Sequence, residues 1–549
     1  MGLNETKLAI YNLKQAAQAA THTGLANYLL GRLYAQEKQY ENAATVLEQA
    51  LLYDHQFTEA RRLYAQVLEK SGRLEQAYKQ YRMIYAAEKN DPLTNQALAR
   101  LKAKLPPEQK RPSTFTISHT FVHPLPQAES GQQTLKIGLG VRPNGKPESR
   151  TSIVFSVSDS FKIVNDKNIK ITSGKAGEVW KAVLEKKQAY LIPPTGKKIP
   201  FKKELTIIAL SNDATKEPTF ILKDILTGAG MTWMNLSGKE YRGQLQIIHN
   251  YSLNTLVPVN IVPLDAYLLG VIASEMPTGF PLNALRAQAV LARTYALKHI
   301  GKHKSYGFDL CDSQNCQVYG GVLAESEGGN EAVISTLGKI LQYEGKPIES
   351  VFSANTGGMT QSSKNAGWSD VPYLQPVSDY KQFTPENIEP YQFKELLQYP
   401  QEAYSKYDKN VSLAAFRWTR VVDVNDLQEI IKRKKKDIGK IVALLVQARS
   451  ESGYVSRLLV KGTKGELVLN KENVIRNNLS LAMLRSSYFI IEPNYEKRQL
   501  KYFVFYGGGW GHGVGFDQTG AAGRAEEGQN YQTILQHYFP LATLQDISQ

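Results

Sequence analysis

The chain has 549 residues, a formal net charge of +15 and 42% hydrophobic residues. This length suits two to four domains with real hydrophobic cores. The positive charge suits an anionic partner. However, no basic motif interleaved with aromatic residues favours nucleic acid, and no apolar run approaches the length of a transmembrane helix.

The amino-terminal residues do not read as a leader sequence. They are Met-Gly-Leu-Asn-Glu-Thr-Lys, without the apolar core of a signal peptide. We therefore expect either a cytoplasmic protein or a chain from which a leader has been removed.

Residues 1–104 are predicted to form a helical domain with an internal repeat. Small and aromatic residues recur about 34 residues apart, which is the tetratricopeptide period. One set is Leu30, Gly31, Tyr34, Ala43, Leu47 and Ala50, and the other is Tyr64, Ala65, Leu68, Ala77 and Tyr81. We expect these helices to bury their apolar faces by stacking on one another and to dock a protein partner. A generic helical bundle is the alternative.

A composition change follows the helical domain. Residues 105–115 are rich in proline and charge and predict a linker. Residues 116–235 alternate short apolar strands with clusters of Gly, Asn, Pro and Lys, which predicts a β-rich domain or the upstream part of the next body. Residues 236–545 are predicted to form the core of the protein. The fold class expected is α+β, with helical repeats followed by a mixed β-rich and helical body.

The stretch from Leu264 to Leu297 predicts two helices joined by a short turn. Pro277 ends the first helix two residues after Glu275. The carboxyl end of a helix disfavours negative charge, and Met276, Pro277 and Phe280 provide apolar surroundings. Both effects favour the neutral carboxyl that a general acid needs near neutral pH. A solvated glutamate at a helix end is the alternative.

This stretch resembles the core motif of the SpoIID/LytB family, the stage II sporulation protein D group. The pattern includes Glu-Met-Pro followed by Ala-Leu-x-Ala-Gln-Ala-Val-x-Ala-Arg-Thr-Tyr-Ala. The matching residues are Tyr267, Gly270, Val271, Glu275, Met276, Pro277, Ala284, Leu285, Ala287, Gln288, Ala289, Val290, Ala292, Arg293, Thr294, Tyr295 and Ala296. Phe280 departs from it, since relatives usually have tryptophan there.

The resemblance implies a peptidoglycan lytic transglycosylase that cleaves the MurNAc-GlcNAc glycosidic bond, with Glu275 as the catalytic acid and base. It also implies action outside the cytoplasm, in the cell wall or periplasm, on glycan strands. A different branch of the family implies a non-catalytic enhancer of a wall amidase. A glycan-binding scaffold that docks partners through its helical repeats is a third possibility.

The core motif and two further segments that resemble the family supply candidate substrate-binding residues. Gln288 and Arg293 lie in the second helix of the core motif. Ser353, Thr356 and Tyr373 lie in or after the segment Phe-Ser-Ala-Asn-Thr-Gly-Gly-Met-Thr, whose hydroxyls suit a sugar groove. His512 lies in the glycine-rich run Tyr-Gly-Gly-Gly-Trp-Gly-His-Gly-Val-Gly, which lets the backbone approach a ligand closely.

Cys311 and Cys316 are the chain's two cysteines. Some relatives bind zinc in this segment with thiolates and nearby histidines, but Asn315 stands where relatives often have histidine. His299 and His303 are the nearest histidines. Because four N or S ligands are not evident, we expect no stoichiometric zinc and no other cofactor. A disulfide, free thiols and zinc all remain open.

A basic run, Lys432 to Lys436, ends a predicted helix. Cations at that end of a helix favour a solvated cap, and contact with anionic wall polymer is the alternative.

Overall fold

A computed structural model of the protein describes residues 3–19, 24–105, 118–125, 133–142, 144–211, 213–227, 235–382, 390–399 and 401–547. The predicted linker, 105–115, lies outside these ranges except for Leu105. The chain forms two compact units. The first contains Met1–Gln109 and Val351–Leu541, and the second contains Lys110–Ser350 and Ala542–Gln549. This division cuts across the predicted core, 236–545, because its two halves have their contacts in different units.

Six helices begin the first unit: α1 (Leu3–Ala19), α2 (Leu25–Gln36), α3 (Tyr40–Tyr53), α4 (Thr58–Lys70), α5 (Leu74–Ala87) and α6 (Pro92–Lys102). Each packs against the next along the chain. A Cβ at Gly31 would lie 2.5 Å from Cγ of Leu47, so this glycine permits the close crossing of α2 and α3. These are the helical repeats that the sequence predicts.

The β-rich part of the second unit contains two sheets whose strands are mostly antiparallel. Its strands are β1 (Thr134–Gly138), β2 (Ser152–Val157), β3 (Phe161–Asn165), β4 (Lys170–Gly174), β5 (Trp180–Glu185), β6 (Gln188–Ile192), β7 (Ile199–Phe201), β8 (Glu204–Ala209), β9 (Thr219–Thr227), β10 (Asn235–Arg242), β11 (Gln244–Asn250) and β12 (Thr255–Pro263). One sheet has the order β10-β9-β2-β5-β6-β7. The other contains β1-β12-β11-β8-β3-β4.

The helical part of the second unit follows directly from β12. Its elements are α7 (Leu264–Glu275), α8 (Leu282–Lys298), β13 (Leu310–Cys311), α9 (Glu327–Ile334), β14 (Lys339–Tyr343) and β15 (Lys346–Pro347). β13 pairs in parallel with β1 and so extends the second sheet. Residues on every side of α8 are buried, as expected for an alanine-rich helix inside a core.

The first unit resumes at Val351. Its elements are β16 (Phe352–Ser353), α10 (Pro390–Gln398), β17 (Arg417–Asp423), α11 (Val424–Lys434), β18 (Ile441–Arg449), β19 (Val455–Gly462), β20 (Glu466–Asn470), α12 (Glu472–Asn478), β21 (Phe489–Glu496), β22 (Gln499–Gly508), β23 (Phe516–Asp517), α13 (Gln518–Glu526) and α14 (Tyr531–Tyr538). β17-β22-β21 and β18-β19-β20 form three-stranded sheets. A last strand, β24 (Thr543–Asp546), belongs to the second unit and pairs with β14.

The helical repeats share a hydrophobic core with the later part of the first unit. Val421, Ile430, Leu481 and Val504 lie in the same cluster of buried side chains as Leu47, Phe57 and Leu68. The expectation that the repeats bury their apolar faces only on one another is therefore not met. The reason is that α2 and α4 also contact strand β17.

The observed fold class is α+β, as predicted. Among the described residues, no helix is long and apolar enough to span a lipid bilayer.

Candidate functional site

Glu275 is the last residue of α7, and its side chain is half-buried. The chain leaves the helix at Met276, which is buried, and Pro277 prevents continuation. The backbone N–H of Val318 donates a hydrogen bond to Oε1 of Glu275 over 2.6 Å. Burial raises the pKa of Glu275 to about 7, and the Val318 hydrogen bond opposes this rise. Glu275 can therefore give and take a proton near neutral pH.

The segment that holds Glu275 is itself fixed against α7. The N–H of Gly320 donates to the carbonyl of Gly270 over 3.0 Å. A Cβ at Gly270 would lie 2.6 Å from the ring of Tyr319, so only glycine allows this approach. Tyr267 donates from its hydroxyl to Gln317 over 3.3 Å. These contacts explain why the core motif has Tyr267 and Gly270 so close to Glu275.

Asp265, Asp309 and Asp517 could supply a second carboxylate by residue type, but each has a partner of its own. Asp265 pairs with Arg293 at 2.8 Å. Asp309 accepts from the N–H of Lys136 over 2.9 Å. Asp517 lies in the other compact unit and caps α13 by accepting from the N–H of Gly520 over 2.8 Å. A second acid for Glu275 is therefore not evident among these three.

Two predicted substrate-binding residues of α8 are wholly buried. Gln288 has no exposed surface, and Arg293 is 1% exposed. The Arg293 guanidinium donates to Asp265. It also donates, over 2.8 Å, to the carbonyl of Thr336, which lies near the end of α9. These contacts support the packing of α7, α8 and α9. A role for Arg293 in substrate binding would have to be indirect.

Cys311, Cys316 and His303 form a buried cluster in the second unit. Their ligand atoms lie within 4.8 Å of one another. Nε2 of His303 is 3.3 Å from Sγ of Cys316. Both cysteines are free thiols in this structure. The Cys311 thiol hydrogen-bonds to Cys316 and lowers the pKa of Cys316 to about 5, although burial opposes this shift.

This donor set fits three of the four positions of a tetrahedral zinc site. Two thiolates and one imidazole are ligands that zinc prefers. His303, one of the two histidines nearest to the cysteines in sequence, supplies the third ligand, and the described residues offer no fourth in that cluster. A zinc ion held by these three residues would supply a structural crosslink. Because Cys316 is two residues from Val318, that crosslink would hold the segment that positions Glu275.

The glycine-rich run forms a tight turn in the first unit. Gly509, Gly511, Gly513 and Gly515 all have positive φ, which disfavours other residues there. Trp510 exchanges backbone hydrogen bonds with Asn355, at 2.7 Å and 3.1 Å. Residues 353–360, which contain the candidate hydroxyls of Ser353 and Thr356, and the glycine-rich run are thus neighbours. Sequence separation alone did not show this pairing.

His512 is held firmly within this turn. Its Nδ1 accepts from the N–H of Val514 over 3.0 Å, which places the proton of a neutral ring on Nε2. Ser353 accepts from the N–H of Gly513 over 2.9 Å. Burial, followed by the charge of Arg476, lowers the pKa of His512 to about 3. His512 is therefore neutral near pH 7.

Trp368 is an exposed aromatic residue that lies against this turn. Its side chain is 39% exposed, and its ring centroid lies 4.8 Å from that of His512. The side-chain amide of Gln361 donates to the His512 carbonyl over 2.7 Å and so helps to hold His512 in position. Trp368 was visible in the sequence, but nothing in its spacing indicated that it would lie on His512.

The remaining candidate substrate-binding residues, Thr356 and Tyr373, are buried. Thr356 donates from its hydroxyl to Asp517 over 2.6 Å. Ser405 donates to the same carboxylate over 2.8 Å. Burial, then the charge of Asp379, raises the pKa of Asp517 to about 6. Tyr373 is also buried. Neither Thr356 nor Tyr373 therefore offers an exposed side chain to a glycan.

Comparison with known proteins matches three separate segments of the chain to family models. Residues 252–343 match the family described as stage II sporulation protein, and residues 34–104 match the tetratricopeptide repeat. Residues 363–515 match a domain of unknown function. Glu275 lies in the first of these matches, and Trp368 and His512 lie in the last.

Stage II sporulation protein D of Bacillus amyloliquefaciens is 30% identical over 296 residues, which are 51% of this chain and 74% of that protein. The amidase enhancer of Bacillus subtilis (strain 168) is 29% identical over 335 residues, which are 57% of this chain and 45% of that protein. The chain belongs to the stage II sporulation protein D family. It spans less than half the length of the amidase enhancer that it matches.

Proposed function

We propose that this protein is a peptidoglycan lytic transglycosylase in which Glu275 is the catalytic acid and base. The observation that carries the proposal is the state of Glu275. It is half-buried at a helix end, with one oxygen accepting from Val318 and a pKa raised to about 7. A carboxyl group with this pKa is protonated in a useful fraction near neutral pH and is still a competent base afterwards.

The proposed reaction needs one such group. Neutral Glu275 protonates the oxygen that leaves C1 of N-acetylmuramic acid as the glycosidic bond breaks. The resulting carboxylate accepts the proton of the muramic 6-hydroxyl as O6 bonds to C1. The products are a 1,6-anhydro-muramic end on one fragment and a free 4-hydroxyl on the N-acetylglucosamine that begins the other fragment, and no water is consumed. An internal nucleophile explains how one acid can replace the two carboxylates of ordinary glycosidases.

The turn around Trp368 is proposed to bind glycan. A flat, exposed indole suits the C–H face of a sugar ring, and His512 supports it from below. The neutral imidazole adds no charge to this surface at pH 7. We place the contact on Trp368 rather than on Thr356 or Tyr373, because those two side chains are buried.

A second candidate function is a non-catalytic enhancer of a wall amidase, acting outside the cytoplasm. The observation in its favour is the similarity to a protein named amidase enhancer, together with helical repeats that suit a protein partner.

Digestion of purified glycan strands distinguishes the two functions. Transglycosylation gives products with anhydro-muramic ends in mass spectrometry, and hydrolysis gives reducing muramic ends. If the protein releases neither product but binds the strands and accelerates a purified wall amidase, the enhancer function is supported and the catalytic proposal is wrong.

A further inference from the structure

The turn between α3 and α4 of the helical repeats contacts the glycine-rich turn that contains His512. Both segments belong to the first compact unit. The repeat turn consists of Asp54, His55, Gln56 and Phe57. The ring of His55 lies 6.0 Å from that of Trp510, centroid to centroid. The repeats therefore reach the residue that immediately precedes Gly511 and His512.

A buried ion cluster connects the two turns. Asp54 accepts from Arg420 and from Arg485, each over 2.5 Å. The three side chains are 3% exposed or less. Although burial alone would raise it, the two guanidinium groups hold the pKa of Asp54 well below its usual range. Among the described residues, no other carboxylate forms an ion pair with Arg420 or Arg485.

Arg485 carries this connection on to the glycine-rich turn. Its guanidinium lies 4.2 Å from the centre of the Trp510 ring. Its carbonyl accepts from the N–H of Gly511 over 2.9 Å. Without Asp54, Arg420 and Arg485 would be two buried cations with no carboxylate between them, and Arg485, which lies over Trp510, would lose the partner that orients it.

We propose that Asp54 is a positioning residue for the glycine-rich turn. It acts through Arg485 on Trp510, and so on the neighbouring His512 and on Trp368, which lies against His512. The helical repeats are then part of the binding machinery and not only a module for docking a partner. This inference rests on the proposed glycan contact at Trp368, but the position of Trp510 can be measured without any glycan.

The test labels the full-length protein with 5-fluorotryptophan and records its ¹⁹F NMR spectrum. The chain has 5 tryptophans, and Trp510→Phe assigns the Trp510 signal. Asp54→Asn is expected to shift or broaden the Trp510 signal and to weaken binding of purified glycan strands about five- to tenfold. Asp54→Glu, which keeps the charge, is expected to retain most of the binding.

The matched control is Asp426→Asn. Asp426 of α11 pairs with Arg62 of α4 over 3.1 Å, so this variant also weakens a contact between the repeats and the later chain. It does not involve the ion cluster beside Trp510. We expect it to leave the Trp510 signal and glycan binding close to those of the unmodified protein.

Asp54→Ser serves as a second variant if Asp54→Asn does not fold, and it is expected to move the same signal. An unchanged Trp510 signal in a folded Asp54→Asn protein, or an equal shift in Asp426→Asn, would overturn the positioning role. If the unmodified protein binds no glycan, the proposed contact at Trp368 fails, while the NMR result still decides whether Asp54 positions the turn.

Discussion

Val318 donates its backbone N–H to Glu275 across 43 positions of sequence, at 2.6 Å. This bond favours the carboxylate, whereas burial favours the neutral acid, and the outcome is a pKa of about 7. The two effects have different origins. The hydrogen bond depends on the segment after Cys316, and the burial depends on the end of α7 and the turn that follows it.

Glu275→Gln is predicted to stabilise the protein at high pH. The pKa of Glu275 rises from its ordinary value of 4.5 to about 7 on folding, so the folded state binds more protons than the unfolded state between these values. Stability from this group is fully present below pH 4.5 and is lost as pH rises through 7. The difference in free energy of unfolding between Glu275→Gln and the unmodified protein is therefore expected to favour the variant by about 1–2 kcal/mol more at pH 8 than at pH 4. This figure allows for the partial exposure of Glu275.

Urea unfolding at both pH values measures this difference. Glu327→Gln is the control, because Glu327 is an exposed glutamate in the first turn of α9. A Glu275→Gln benefit that is equal at pH 4 and pH 8 would show that the pKa of Glu275 is not raised.

Trp368→Ala is predicted to weaken binding of glycan strands about tenfold, because the exposed indole is the proposed sugar platform. Isothermal titration with soluble glycan strands checks this. Tyr495→Ala removes another exposed aromatic residue of the same unit, which is 57% exposed, and should leave binding unchanged. Equal losses in both variants would argue against a specific surface at Trp368.

Added zinc is predicted to bind His303, Cys311 and Cys316 and to stabilise the protein. The sequence argued against zinc because only two ligands were evident, and the structure brings in the third. At a free zinc concentration of 100 times Kd, the stabilisation is about 2.7 kcal/mol. Thermal unfolding with and without zinc, together with metal analysis, measures it.

Cys316→Ser should abolish the zinc-dependent stabilisation. His299→Ala is the control, since His299 pairs with Glu349 at 2.7 Å and lies outside the cluster. Zinc that bound the Cys316→Ser protein as tightly as the unmodified protein would show that the metal occupies another site.

A chain that lacks residues 1–104 is predicted to be unstable. Deletion of the helical repeats exposes the buried side chains of Val421, Leu481 and Val504. It also leaves Arg420 and Arg485 without Asp54. Breaking a buried ion pair from one side alone costs about 3–5 kcal/mol. Limited proteolysis and binding of a hydrophobic dye should both report a loosened first unit. A truncated chain as protease-resistant as the full chain would contradict the shared core.

Local sequence signals predicted much of this protein. The repeat around Leu47 and Leu68 identified the helical repeats, and the prolines near Glu275 located the end of α7. The raised pKa of Glu275 was also expected from its apolar neighbours Met276 and Phe280, and burial is its cause in the structure.

Contacts between distant segments could not be predicted in the same way. Asp54 reads as an ordinary residue after a helix, and only the fold brings Arg420 and Arg485 to it. His303 and His299 are both near the cysteines in sequence, and only the fold shows which of the two joins the cluster. Val318 contributes a backbone N–H, which has no side-chain signature at all.

Cleavage of glycan strands in ¹⁸O-labelled water tests the role of Glu275 most directly. The account predicts anhydro-muramic ends without ¹⁸O from the unmodified protein and from Glu327→Gln, and a loss of at least about a hundredfold in Glu275→Gln. Reducing muramic ends that carry ¹⁸O, or undiminished cleavage by a folded Glu275→Gln protein, would contradict it.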